Sequence, residues 1–163
     1  SETMKANRDI NRPIRILMVC HGNICRSPMA EYVMKDMVKR AGLERRFEIA
    51  SAATSYEEQG NDMYPPAKRK LDREGIPYQR RAARRITASD YDTFDLIVGM
   101  EKYNISGIMR VIKEDPDHKV RMLLDRDIAD PWYTDRFDET YRDVVEGCTA
   151  FLEVLEQRGE IYA

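Results

Sequence analysis

Four short apolar runs rich in strand formers recur along this chain, separated by segments of helix length: IRILMV at 14–19, FEIASAAT at 47–54, TFDLIVGM at 93–100 and KVRMLLD at 119–125. Each run suits a strand and is too short for a helix. The first intervening segment, SPMAEYVMKDMVKRAG at 27–42, carries Met29, Val33 and Met37 at helical spacing. Ser27 suits its N-cap, Pro28 its first helical position and Gly42 its end. Glu31 stands one residue beyond the capping-box position. Further helices are expected over 64–75, 101–112 and 138–158; the last carries one stripe of Tyr141, Val144, Val145, Cys148, Phe151, Leu152 and Leu155. Residues 76–81 read as a linker with room for a short strand, and 127–137 as a loop. Such alternation calls for parallel strands joined by helical crossovers. The expected architecture is α/β, a three-layer sandwich: a central four-stranded parallel sheet with helices on both faces. It forms one domain over 14–163, after a polar extension at 1–13.

In such a sheet, ligands sit at the carboxyl ends of the strands. There the first run ends in CHGNICRSP, residues 20–28. Gly22 permits a tight turn and close backbone approach. The turn feeds a helix N-terminus, whose free amides attract an anion. Arg26 offers a planar fork for two phosphoryl oxygens. A thiol in that field ionises readily, which places Cys20 as a nucleophile toward a bound phosphate ester. Ser27 can hydrogen-bond the sulfur, and Asn23 can brace the loop. Cys-x5-Arg by itself also arises by chance in surface turns. The strand before it, the glycine inside it and the Ser-Pro after it are the context that favours a phosphate cup. An acid for the leaving oxygen is offered by DPWY at 130–133. Asp130 follows the fourth run and so belongs at the same sheet edge. Pro131 stiffens the loop, and Trp132 and Tyr133 offer aromatic walls for a flat substrate. Taken alone, DPWY also reads as a common Asp-Pro turn.

Composition narrows the function by exclusion. A net charge of -2 gives no global pull toward nucleic acid or an anionic membrane. No apolar run approaches the length of a membrane span. The polar start SETMKANRDINR lacks the apolar stretch of a secretory signal, which points to the cytoplasm, where thiols stay reduced. Cys20, Cys25 and Cys148 are too few for a disulfide framework, and with His21 and His118 they make no zinc pattern. Cys148, inside the helical stripe, reads as an inert buried thiol. The basic cluster QRRAARR at 79–85 reads as a solvated or salt-bridged face, or as a docking patch for acidic partners.

These residues resemble the low-molecular-weight protein tyrosine phosphatases. CHGNICRSP is similar to the family signature after its first strand, and DPWY to its late acid motif. SAATS, ITASDYDTFDLIVGMEKYNI and FDETYRDVVEGCTAFLE resemble its second strand, central stretch and last helix, so the likeness spans nearly the whole chain. The resemblance implies a flavodoxin-like, phosphotyrosine phosphatase I-like fold and two-step hydrolysis with neither metal nor other cofactor. Cys20 attacks phosphorus while Asp130 protonates the tyrosine oxygen; water then attacks the phosphocysteine, with Asp130 as base. Arg26 and the loop His21, Gly22, Asn23, Ile24, Cys25 and Ser27 hold the transferring group, supported by Ser51, Trp132 and Tyr133. His21 points at the mouth in the family layout. Cys25 matches a cysteine that forms a reversible disulfide with the nucleophile; its other reading is a small buried residue. The implied partners are phosphotyrosine-containing proteins, with inorganic phosphate or other oxyanions in the loop, and the implied state is a monomer.

The chain departs from the family pattern in three places. Glu57 falls where an aromatic residue is usual, and its carboxylate would repel acidic peptides flanking a phosphotyrosine. Arg81 stands where a histidine is common, which alters the bracing of Asn23 and Ser27. MYPPAKRKL replaces an Asp-Pro-Arg helix start. Other enzymes share the Cys-x5-Arg loop. Arsenate reductases rely on further downstream cysteines, a part that Cys148 fits poorly. Protein arginine phosphatases carry threonine at the position of Ile24. A phosphopeptide-binding module without catalysis would need neither Cys20 nor Asp130.

Overall fold

The sheet is organised around β1 (Ile14–Cys20), whose side chains feed two separate cores. In the computed structural model, which describes residues 12–159, Ile14, Ile16 and Met18 enter one core while Leu17 and Val19 enter the other. That alternation is the period of two that a strand imposes. Parallel ladders join β1 to β2 (Phe47–Ala53) on one side and to β3 (Leu96–Gly99) on the other; β4 (Val120–Met122) lies beyond β3. The order is therefore β2-β1-β3-β4. The helices are α1 (Arg26–Arg40), α2 (Pro65–Arg73), the short α3 (Asp90–Thr93), α4 (Lys102–Ile112), the single turn α5 (Pro131–Thr134) and the long α6 (Phe137–Gln157). Helices α1, α2 and α6 close one face through Met29, Val33, Leu71, Val144 and Phe151. Helices α3 and α4 close the other through Tyr91, Ile105 and Ile108. This is the expected three-layer sandwich.

Connectivity places the site. The chain leaves β1 for β2 on one side and later returns to β3 on the other. The carboxyl ends of β1 and β3 thus flank a topological switch point, where crossovers diverge to opposite faces and a crevice opens.

Four local expectations change. Residues 76–81 form no ladder, because Pro77 lacks the N–H that pairing needs; the bridge between Ala53 and Arg85 comes later. The third strand starts at Leu96, because the Asp90 carboxylate takes the Thr87 amide at 2.8 Å and turns 90–93 into a helix. The fourth strand keeps only three residues; it is an edge strand with one neighbour. The 127–137 loop contains α5, because Asp130 caps it. Of the polar extension expected at 1–13, residues 1–11 lie outside the described residues. Gly147 lets α6 close on the end of β4, since a Cβ there would stand 2.5 Å from Leu123 Cγ.

Cys148 is fully buried on α6, as its stripe position implied, and burial pushes its thiol up to about 12. Between the ordinary thiol value of 9.0 and about 12, the unfolded chain releases a proton that the folded protein keeps. Stability is therefore lost as pH rises through that window. Urea unfolding at pH 9.5 and 10.5 is expected to show a steeper fall for the wild type than for Cys148→Ala. The slopes should differ by up to about 1.4 kcal/mol per pH unit; equal slopes would mean that the thiol is not held protonated.

Candidate active site

Residues 20–26 form a loop folded around the Cys20 sulfur. The Asn23 amide donates to Cys20 Sγ at 3.3 Å, and the thiol donates to Ser27 Oγ at 3.1 Å. Asn23 turns the chain in the left-handed region, at φ 60°. Asparagine tolerates this better than most residues, and here its side chain is tied down at both ends. Its Nδ2 donates to Ser27 Oγ at 2.8 Å and to Ser51 Oγ at 2.9 Å, while Oδ1 accepts from Arg81 Nη2 and the Arg84 amide. Ser51 Oγ in turn donates to Glu31 Oε1 at 2.6 Å, and Lys35 closes the chain on Glu31 Oε2 at 2.6 Å. Asn23 and Ser27 are fully buried. They stand behind the loop as braces rather than in its hollow.

Ser27 does not cap α1 as expected. The helix starts two residues earlier than Pro28, at Arg26, with Cys25 at the N-cap and no side-chain cap. The Ser27 hydroxyl is already engaged with Cys20 and Asn23. The first amides of α1 are thus left to an anion, the arrangement that favours phosphate at a helix start.

Arg26 is only 1% exposed. Its Nη1 donates to the Ile128 carbonyl at 2.8 Å and meets Glu101 Oε2 at 3.1 Å, and its Nη2 meets Asp130 Oδ2 at 3.4 Å. Burial opposes the guanidinium's charge, but negative charge at Cys20, Asp130 and Glu101 outweighs it and holds Arg26 above its ordinary value. Asp130 also caps α5, where its Oδ1 accepts from the Trp132 amide at 3.0 Å. The Asp-Pro turn and the Arg26 partner are therefore the same residue. Burial, then the charge at Cys20, push the Cys25 thiol well above its ordinary value.

A cavity of about 120 Å³ opens over Cys20. Cys20, His21, Gly22, Ile24, Cys25, Arg26, Asp130, Trp132 and Tyr133 line it, together with Glu57 and Glu58. Trp132 leans on Tyr64, ring centroids 4.8 Å apart, and Tyr133 is almost wholly exposed. A larger groove of about 640 Å³ lies between α1, β2 and residues 77–79, and none of the candidate catalytic residues lines it.

The model of the family described as low molecular weight phosphotyrosine protein phosphatase matches residues 15–160. The chain belongs to this family. It is 32% identical over 155 residues to the low molecular weight protein-tyrosine-phosphatase YfkJ of Bacillus subtilis, covering 91% of this chain and 99% of the relative. The crystal structure of a low molecular weight protein tyrosine phosphatase from Streptococcus pyogenes superposes with a TM-score of 0.81 at 37% identity, covering 87% of this chain and 93% of that one. A Drosophila structure described as an arginine phosphatase superposes at 0.77 with 27% identity, covering 86% and 96%.

Several residues of this phosphatase-family site escaped sequence reading. Glu101, the Arg26 partner, stands two residues past the end of β3, so strand-end position is the signal that marks it. Glu31 looked like a displaced cap, yet it turns inward to Ser51. Arg81 looked like a change in bracing and is itself the brace. Burial lowers Arg81 from its ordinary value, against the pull of Glu31 and other negative neighbours. Arg81→Met removes a charged donor from Asn23, an interaction worth about 1.5–3 kcal/mol. Calorimetric titration is expected to show about tenfold weaker binding of inorganic phosphate, with far-UV circular dichroism unchanged. Unchanged affinity would show that Asn23 is held without Arg81.

Proposed function

We propose that this chain hydrolyses phosphotyrosine, and small aryl phosphates, through a phosphocysteine formed on Cys20. One observation carries the reading: Cys20 Sγ lies under a loop amide and beside Ser27 Oγ, at the floor of a cavity whose wall holds both Arg26 and Asp130. The phosphoryl group sits among the loop amides and the Arg26 fork. Cys20, its proton lost to solvent, attacks phosphorus as the thiolate; the bond to the tyrosine oxygen breaks, and Asp130, which enters the step protonated, gives that oxygen its proton. Water then attacks the phosphocysteine, Asp130 takes its proton, and the sulfur leaves with Ser27 O–H turned to donate to it. Loop amides and Arg26, already in place, stabilise charge in both steps without reorganising. Trp132 and Tyr133 flank the aromatic ring.

The mechanism needs a free thiol, which supports a reducing compartment such as the cytoplasm. Cys25, held protonated, is not a second nucleophile toward phosphorus. Its proposed part is redox: once peroxide converts Cys20 to a sulfenic acid, the Cys25 thiol displaces the hydroxyl, which departs as water, and a disulfide closes.

The likeness to the Drosophila arginine phosphatase raises phosphoarginine as a second substrate class. Ile24 on the cavity lining offers a guanidinium no hydrogen-bond acceptor from its side chain, which favours the aryl ester.

Hydrolysis of p-nitrophenyl phosphate and of a phosphotyrosine peptide, in reductant and excess chelator, tests the mechanism. The wild type is expected to turn over both, and Cys20→Ser neither. Asp130→Asn should lose about 10²–10⁴ in kcat on the peptide and less on p-nitrophenyl phosphate, whose leaving group needs little help from an acid. Retained turnover in Cys20→Ser would overturn the phosphocysteine step.

A further inference from the structure

The mouth of the cavity has two unlike sides. One is aromatic, from Trp132 and Tyr133; the other is acidic, from Glu57 and Glu58. Glu57 is held at the rim by His21, Nε2 to Oε2 at 3.0 Å, with its side chain 70% exposed. Glu58 lies deeper. Its Cγ stands 3.3 Å from where a Cβ on Gly22 would be, so its aliphatic stem lies against the phosphate loop. Among the described residues its carboxylate accepts from the neutral Asn61 amide, at 2.7 Å, and forms no ion pair. Its charge is felt inside the cavity, where it helps to raise the Cys25 thiol.

The nearby arginines are held by partners other than these carboxylates. Arg81 is committed to Asn23 behind the loop. Arg85 donates to the Thr54 carbonyl and stacks over Tyr56, its guanidinium 4.6 Å from the ring centroid. Arg26, the single arginine on the lining, faces Glu101 and Asp130 and is the phosphate fork. Beyond the Arg26–Asp130 pair, the lining thus carries two further carboxylates, Glu57 and Glu58, and no second arginine or lysine.

We propose that Glu57 and Glu58 are specificity residues, and that the site takes phosphotyrosine flanked by lysine or arginine in preference to phosphotyrosine flanked by acidic residues. The proposal rests on the phosphotyrosine reading above. The phosphate is satisfied at the floor by amides and Arg26, so the carboxylates of Glu57 and Glu58 are left at the rim, where neighbours of the phosphotyrosine pass. Exposed carboxylates act over about 8–10 Å at ordinary salt, enough to reach the adjacent residues and no farther. The preference is therefore local and salt-sensitive.

Two phosphotyrosine peptides of equal length test it, one with lysines and one with glutamates at the two positions on either side. The wild type is expected to show about a tenfold higher kcat/KM for the basic peptide at low salt, shrinking toward about twofold at 0.5 M NaCl. The ratio of the two values cancels any change in chemistry common to both. In Glu57→Gln/Glu58→Gln the ratio should approach one. Glu57→Lys, a reversal at an exposed position, should invert it, and serves if Glu58→Gln disturbs the packing on Gly22. A wild-type ratio near one, or a ratio that survives the double substitution, overturns the proposal. Should neither peptide be hydrolysed, the phosphotyrosine reading has failed. Fluorescence anisotropy with the same peptides on Cys20→Ser then decides: the same basic preference supports the acidic rim, and equal or absent binding overturns it.

Discussion

A guanidinium buried to 1% exposure must find its counter-charges where it lies, and Arg26 draws three parts of the chain together to do so. Desolvation of such a group is expensive unless charge and hydrogen bonds replace water. The replacements are Glu101 just past β3, and Ile128 and Asp130 in the segment beyond β4. The same three contacts that stabilise the charge aim the fork and bring the acid to the thiol. Stability and site geometry therefore share one set of contacts here.

A second buried network holds the loop from behind. Lys35, Glu31, Ser51, Asn23, Ser27 and Cys20 form a continuous hydrogen-bonded chain from the surface of α1 to the sulfur. Arg81 joins it at Asn23, the residue with positive φ. A left-handed turn outside glycine persists where its surroundings over-determine it, and Asn23 has partners on both ends of its amide. The loop amides need this rigidity, because donors that must reorganise during reaction stabilise little.

Two of the departures from the family pattern, Arg81 and Glu57, have different physical characters. Arg81 is partly buried and acts through Asn23, so it bears on how firmly the loop is held. Glu57 is exposed and acts through solvent, so it bears on what approaches the loop. The family likeness covers residues 15–160, and the loop, the rim and the brace all lie within that span.

The sequence by itself determined the layers, the sheet and the location of the Cys20–Arg26 loop at a strand end. Strand and helix periods are local properties, and a thiol, a glycine and an arginine within seven residues of a strand end can be read without coordinates. DPWY was legible for a similar reason: it follows a strand in a sheet whose strands all end on one edge. Only the tertiary structure decided which groups meet across the chain. Glu101 and Arg26 are 75 residues apart, and Arg81 and Asn23 are 58 apart; no local pattern joins them. Tertiary competition also moved the start of α1, because Ser27 gives its hydroxyl to Cys20 and Asn23 rather than to its own helix. A cap is a local preference worth about 1 kcal/mol, and a buried polar network left unsatisfied costs more than that.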